Sequence, residues 1–198
     1  MGLLGGAYTP QVQEALTRLG RRLAYREAQE EVALLWKVEI SDSSVRHITM
    51  RHGQVAAALI EQQVVQREAM PTAAEAKPEQ LVMCTDGAMV QLTRGEWREV
   101  KMVTFGEFAS VWDAKHREVV TKTERLSYFA RAQTADDFAR SALVEWHRRG
   151  GENARRVVAV NDGALWIQSF IDYHCPRAIR VLDFAHAQEY VATVGRAI

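Results

Sequence analysis

The segment Val157-Val158-Ala159-Val160 is apolar without interruption and stops abruptly at Asn161-Asp162-Gly163. Side chains alternate between the two faces of a strand. Four apolar residues in succession therefore call for a strand inside a sheet, covered on both faces. A chain that contains such a strand must also supply its neighbours in the sheet and the layers above and below it.

The flanking sequence supplies them. Upstream, Thr134 caps a helix, with Asp137 three residues on; Phe138, Ala142 and Trp146 line one face and Gly150-Gly151 ends it. Downstream, a helix runs from about Ala164 to Tyr173 and stops at Pro176. Ile179 to Leu182 reads as a strand ending at Asp183, and a last helix starts near His186. Earlier still, Leu81 to Thr85 is a short apolar run that Met89 to Leu92 continues. Thr93 to Glu96 is a turn, Trp97 to Phe105 the returning strand, and Arg117 to Lys122 marks a third. Three strands, helix, strand, helix, strand, helix imply an α/β chain with a mixed sheet covered by helices.

The first 70 residues have helical period throughout. Val12, Leu16 and Leu19 share a face and Gly20 follows as a stop; Tyr25, Ala28, Val32 and Leu35 mark a second helix. Ser41 to Ser44 is rich in capping residues ahead of Val45 and Ile48, and a fourth helix is expected after Gly53 with Val55, Leu59 and Val65. Residues 69–80 hold Pro71 and Pro78 and no large apolar side chain after Met70, the composition of a linker. The expected domains are thus 1–70, a linker at 71–80, and 81–198. Residues 24–51 fit a helix-turn-helix whose second helix presents Ser43, Ser44, Arg46 and His47 to DNA. The connecting residues 36–40 lack the glycine often found in that turn, and a helical bundle used for assembly fits the same residues.

The 25 basic and 25 acidic residues cancel, so no overall field draws this chain to nucleic acid, and contacts must come from local patches. Arg148, Arg149, Arg155 and Arg156 around Gly150-Gly151 are one such patch; ordinary surface charge explains them equally well. Cys84 and Cys175 lie far apart, which suggests neither a zinc site nor a disulfide framework and fits a reducing, cytoplasmic setting. Cys84, inside a strand, is expected to be a small buried hydrophobe. Trp146, Trp166 and Phe170 are expected in the core. No apolar run reaches membrane-spanning length, and Met1 to Gly6 lacks the basic start of a secretory signal.

Two corners echo each other: Thr85-Asp86-Gly87-Ala88 and Asn161-Asp162-Gly163-Ala164. Each follows an apolar strand. If both strands are central, Asp86 and Asp162 leave the sheet close together, where two carboxylates repel unless a cation lies between them. Magnesium, or manganese, suits such oxygen ligands and keeps waters for chemistry. Either corner alone reads first as an ordinary Asp-Gly turn; the repetition after two apolar strands is what raises the metal-site reading to equal standing.

These corners, together with Trp97-Arg98-Glu99-Val100-Lys101, Leu165-Trp166-Ile167 and Val181-Leu182-Asp183-Phe184-Ala185-His186-Ala187, resemble bacterial insertion-sequence transposases of the aspartate-aspartate-glutamate type, near the Mutator-like superfamily. The resemblance covers Leu81 to the C-terminus. It implies a ribonuclease H-like core with Asp86 and Asp162 as catalytic, metal-holding acids. Asp183 and His186 would form the family's Asp-x-x-His signature, with His186 orienting groups or contacting DNA. It further implies DNA ends and target DNA as partners, a homo-oligomer on DNA, and a place in the bacterial cytoplasm on the nucleoid. Asn161 stands where the family usually has glycine, and Ala185 where tyrosine is common. The third acid, a glutamate on a later helix, is expected beyond Ile198, so the core is expected to be incomplete. A non-catalytic DNA-binding or regulatory remnant is the competing reading, and a metal-dependent nuclease without strand transfer a third.

Overall fold

The computed structural model describes residues 8–70, 74–92 and 95–197. They form two compact units, residues 1–62 and 63–198.

In the first unit, α1 (Pro10–Gly20) starts with Thr9 as its cap and proline in its first turn. Proline there loses no hydrogen bond that the helix could have made. The second helix, α2 (Tyr25–Trp36), ends where Lys37 turns into the left-handed region at φ 57°, and α3 is Asp42–Ala69, whose residues from Gln63 on belong to the second unit. Lys37 therefore takes the conformation for which glycine was missing from the turn. Ser41 caps α3: its hydroxyl accepts from the Ser44 amide at 3.2 Å. Leu16, Ala28, Val32, Ile40, Val45 and Ile48 form the core. Gly20 lets α1 approach α3 closely, since a Cβ there would lie 2.3 Å from Thr49 Oγ1. The fourth helix expected after Gly53 is not a separate element. Gly53 is exposed inside α3 and the helix runs straight through it, because one glycine costs a helix only about 1 kcal/mol and the flanking turns continue unbroken.

The second unit carries a five-stranded mixed sheet. Its strands are β1 (Gln80–Gln91), β2 (Trp97–Asp113), β3 (Glu118–Arg131), β4 (Arg156–Asn161) and β5 (Ile179–Leu182), in the order β3-β2-β1-β4-β5. The first three form an antiparallel meander, while β4 and β5 run parallel to β1 on its other side. Helices α4 (Ala135–Arg148) and α5 (Leu165–His174) link β3 to β4 and β4 to β5, and α6 (Phe184–Ala197) follows β5. Thr134 caps α4 as expected, accepting from the Asp137 amide at 3.2 Å. The strands outrun the expectation: β1 is continuous through Asp86-Gly87, and β3 extends to Arg131.

One sheet face is closely covered. Leu81, Met83, Val103 and Phe105 are fully buried with Phe138, Trp146, Ile167 and Phe170 of the two covering helices. Phe105 meets Trp146 with ring centres 5.7 Å apart, and Phe138 stacks on Phe170 at 5.4 Å. The other face is not closed by the described residues. Val157 and Ala159 are buried, but Val158 and Val160 are only half-buried and all of β5 is exposed. The apolar run thus marks an interior strand, as read, with full burial on one face only. Phe184, Val191 and Val194 of α6 are likewise exposed.

The Pro-containing segment before β1 is packed rather than extended as far as it is described. Ala74 and Pro78 are buried, the Ala74 carbonyl accepts from Asn153 Nδ2 at 2.7 Å, and the Pro78 carbonyl accepts from the Arg155 amide at 3.2 Å. Pro71 and its two following residues lie outside the described residues. No helix among the described residues is long and apolar enough to cross a membrane.

Candidate functional site

The two Asp-Gly corners belong to neighbouring parallel strands. The last pair in register between β1 and β4 is Cys84 with Val160, and each aspartate lies two residues further along its own chain. Strands in a sheet are about 4.8 Å apart, so Asp86, within β1, and Asp162, just past the end of β4, follow from neighbouring positions of the two strands. The expected strand-end corner at Asp86-Gly87 is instead mid-strand, because β1 goes on pairing with β2 to Gln91. Alternation along β1 buries Met83 and Thr85 against the helices and exposes Cys84 and Asp86 on the opposite face.

Backbone amides hold both carboxylates. Asp86 Oδ1 accepts from the Gly87 amide at 2.7 Å, and Asp162 Oδ1 accepts from the Ala164 amide at 2.8 Å. Gly163 sits at φ 85°, a conformation that costs a side chain about 1 kcal/mol or more. Buried Asn161 completes this turn, its Oδ1 accepting from the Gly163 amide at 2.9 Å and from Gln168 Nε2 at 3.0 Å. Asn161 thus pins the turn that carries Asp162.

The strand after α5 brings a third acid beside Asn161. The Asp183 amide donates to the Asn161 carbonyl at 2.8 Å, and Asp183 Oδ1 accepts from the Ala185 amide at 3.1 Å, capping α6. His186 Nδ1 is shielded from solvent, lies 3.5 Å from Asp183 Oδ2, and has no hydrogen-bond partner among the described residues. Cys84 is exposed, which corrects its expected burial: it lies on the open face of β1. Partial burial of its sulfur and, after that, the negative charge of Asp183 push the thiol pKa up. Asp162 and Asp183 follow the ends of β4 and β5, His186 lies in the first turn of α6, and Asp86 lies within β1. Among the described residues, no group of three or more His, Cys, Asp and Glu side chains is arranged to hold a metal ion.

Three buried polar residues on the covered face of the sheet were not singled out as site residues by the sequence reading. Thr85 is 4% exposed and its hydroxyl has no hydrogen-bond partner among the described residues; Lys101 is 7% exposed; Asn161 is the turn residue above. Lys101 was legible, since it falls in phase with the inward residues Val103 and Phe105. Trp166, expected in the core, is half-buried and carries the Lys101 ammonium 5.2 Å from its ring centre.

The arginines around Gly150-Gly151 do not form one phosphate clamp. Arg148 and Arg149 both bind Glu145, and Arg155 binds Glu79. Arg156 reaches Gln80. In the first unit, Ser43, Ser44, Arg46 and His47 line a single open cavity of about 550 Å³ together with Tyr8. The Ser43 and Ser44 hydroxyls both bond to Ser41, whereas Arg46 and His47 are exposed.

No protein-family model matches this chain, and no curated protein matches it.

Proposed function

We propose that this chain is part of a DNA transposase that cuts the ends of a mobile element and transfers their 3′-hydroxyls to target DNA. The observation that carries the reading is that Asp86 and Asp162 each lie two residues past the last paired residues, Cys84 and Val160, of the neighbouring parallel strands β1 and β4. Two acids on neighbouring strands, Asp86 within β1 and Asp162 just past the end of β4, offer the oxygen donors that magnesium or manganese prefers. Asp86 and Asp162 would hold such ions, which when bound would activate an attacking oxygen and stabilise the leaving one. Gly163 leaves the backbone bare beside Asp162, giving a phosphate room to approach. His186 at the start of α6 would orient groups or touch the DNA backbone.

The first unit would contribute DNA contacts through Arg46 and His47 beside the start of α3, and the protein would work as a homo-oligomer on DNA. The resemblance to a ribonuclease H-like core supports the reading through its element order, three strands, helix, strand, helix, strand, helix, which is the order seen here.

The test is divalent-dependent cleavage of DNA carrying the element's own ends, with the full-length protein, including any continuation of the reading frame past Ile198, and its Asp86→Ala and Asp162→Ala variants. Loss of cleavage in both variants, with unchanged folding and DNA binding, is expected. Equal cleavage by wild type and variants rejects the reading. A second reading, a DNA-binding or regulatory remnant without catalysis, is supported by the exposed Arg46 and His47 beside the start of α3. It predicts specific DNA binding and no cleavage under any divalent ion.

A further inference from the structure

The motif Trp97-Arg98-Glu99-Val100-Lys101 has no role in the chemistry above, yet it lies against both corners. Lys101 stands opposite Gly87 in the β1–β2 register, and Glu99 stands opposite Met89. The Glu99 carboxylate covers Gly87: a Cβ on that glycine would lie 2.4 Å from Glu99 Oε1. Lys101 Nζ donates to Glu99 Oε2 at 2.5 Å, and the same ammonium sits over the Trp166 ring. Trp166 is in the first turn of α5, two residues after Ala164, whose amide is held by Asp162. Its ring is in turn fixed edge-on against Phe138 at 6.1 Å. A continuous chain of contacts therefore runs from Gly87 through Glu99, Lys101 and Trp166 to the Asp162 turn, on the sheet face opposite Asp86.

A lysine with an almost fully buried side chain is costly to desolvate, and one ion pair with a half-exposed glutamate offsets this incompletely. A sheet that needed only packing at this position would be better served by an aliphatic residue. The cation adds an attraction to the indole, on the order of 1–2 kcal/mol when desolvated, that fixes one helix turn relative to one strand.

We infer that Lys101 is a positioning residue that, with Glu99 and Trp166, holds the two aspartate corners in a fixed mutual arrangement. The inference deepens the metal-site reading and rests on it for its purpose. The coupling itself is measurable without metal, because the Gly87 amide is held by Asp86 and the Ala164 amide by Asp162. Exchange of these two amides reports on both carboxylates.

The experiment is amide hydrogen exchange at Gly87 and Ala164 in the 198-residue chain. Lys101→Met keeps length and removes charge. It should speed exchange at both amides by about tenfold, the equivalent of one desolvated cation–aromatic contact. Lys101→Arg keeps the cation and should restore slow exchange. Phe105→Leu, on the same strand and face, should loosen the core without singling out these two amides. If Lys101→Met does not fold, Glu99→Gln, at a half-exposed position, should speed the same two amides. A change at one corner only, at neither, or equally in Phe105→Leu overturns the inference. Manganese titration of wild type and Asp86→Ala separates the two ideas. If manganese binds wild type and not Asp86→Ala while exchange ignores Lys101→Met, the positioning role fails alone. If exchange is coupled but no manganese binds, the coupling stands and the metal reading, with the purpose given to the coupling, falls.

Discussion

Arg140 of α4 grips Glu68 of α3 with two nitrogens, Nε to Oε1 at 2.7 Å and a terminal nitrogen to Oε2 at 2.8 Å. A two-pronged pair is the geometry in which a surface ion pair contributes most. The Arg140 hydrogen bond holds the Glu68 carboxyl below its ordinary value. A carboxyl lowered in the fold stabilises at any pH above its unfolded value, near 4.5, and this contribution disappears as pH falls through the lower folded value. Chemical unfolding of wild type and Glu68→Gln should therefore show wild type more stable at pH 7 and the gap closing below about pH 4. Curves that stay parallel across that range contradict the pairing.

His174 behaves in the opposite manner to a surface histidine. It ends α5 among Trp146, Phe170 and Tyr173, with ring centres 5.7, 4.5 and 5.0 Å away. Burial lowers its pKa from 6.5 to about 4, the Ala139 backbone opposing only in part. The folded chain then takes up this proton far less readily than the unfolded one, so stability falls as pH drops from about 6.5 to about 4. The loss amounts to about 3 kcal/mol, at 1.36 kcal/mol per pH unit. His174→Phe should remove that slope while leaving the fold at pH 7 intact. An imidazole resonance titrating near 6.5 in folded wild type would show the ring to be solvated after all.

Three glycines make a paired test of backbone and space. Gly150 adopts φ 68°, and a Cβ there would meet the Ala76 carbonyl oxygen at 2.1 Å; at Gly151 it would meet the Trp146 ring at 2.2 Å. Neither neighbour is a flexible side-chain end. Gly150→Ala and Gly151→Ala should each cost about 2–3 kcal/mol, the range for forced overpacking and strain. Gly53, exposed in mid-helix with nothing near its absent Cβ, is the contrary case: Gly53→Ala should stabilise by about 0.5–1 kcal/mol. Thermal unfolding of the three variants decides, and equal signs would be wrong for this geometry.

The sequence carried the sheet because local signals and burial agreed there. Thr134, Gly150-Gly151 and Pro176 punctuate α4, β4 and α5, and the interior strand announced itself by composition. What misled was a local breaker without tertiary support: Gly53 has the composition of a boundary, but the turns on both sides are helical and no contact requires a break. Cys84 misled for the complementary reason. Strand membership says nothing about which face is covered, and its face is open. The corners were visible as residues, while their adjacency was not, since it depends on the crossover that sets β4 beside β1. The tie between Lys101 and Trp166 spans 65 positions, and only the folded register brings those two residues together.

The exposed thiol offers a reporter for the site. Cys84 lies two residues before Asp86 on the open face, while Cys175 is buried at the end of α5. Alkylation follows the thiolate, so an exposed thiol with a raised pKa reacts, but slowly, at neutral pH. Of its two causes, partial burial is fixed by the strand, whereas the Asp183 charge can be removed. Asp183→Asn should therefore speed iodoacetamide labelling of Cys84 at pH 7–8, with Cys175 unmodified in both proteins. A divalent cation held by Asp86 and Asp162 would add positive charge beside the same sulfur and lower its pKa, so labelling should also accelerate with magnesium. That acceleration should vanish in Asp86→Ala, which leaves Asp183 in place. Mass spectrometry of the labelled peptides distinguishes the two cysteines directly. Faster labelling in Asp183→Asn with no magnesium effect would leave the electrostatics correct and remove the support for a cation between the corners. Labelling of Cys175 ahead of Cys84 would contradict the burial of the α5 terminus itself.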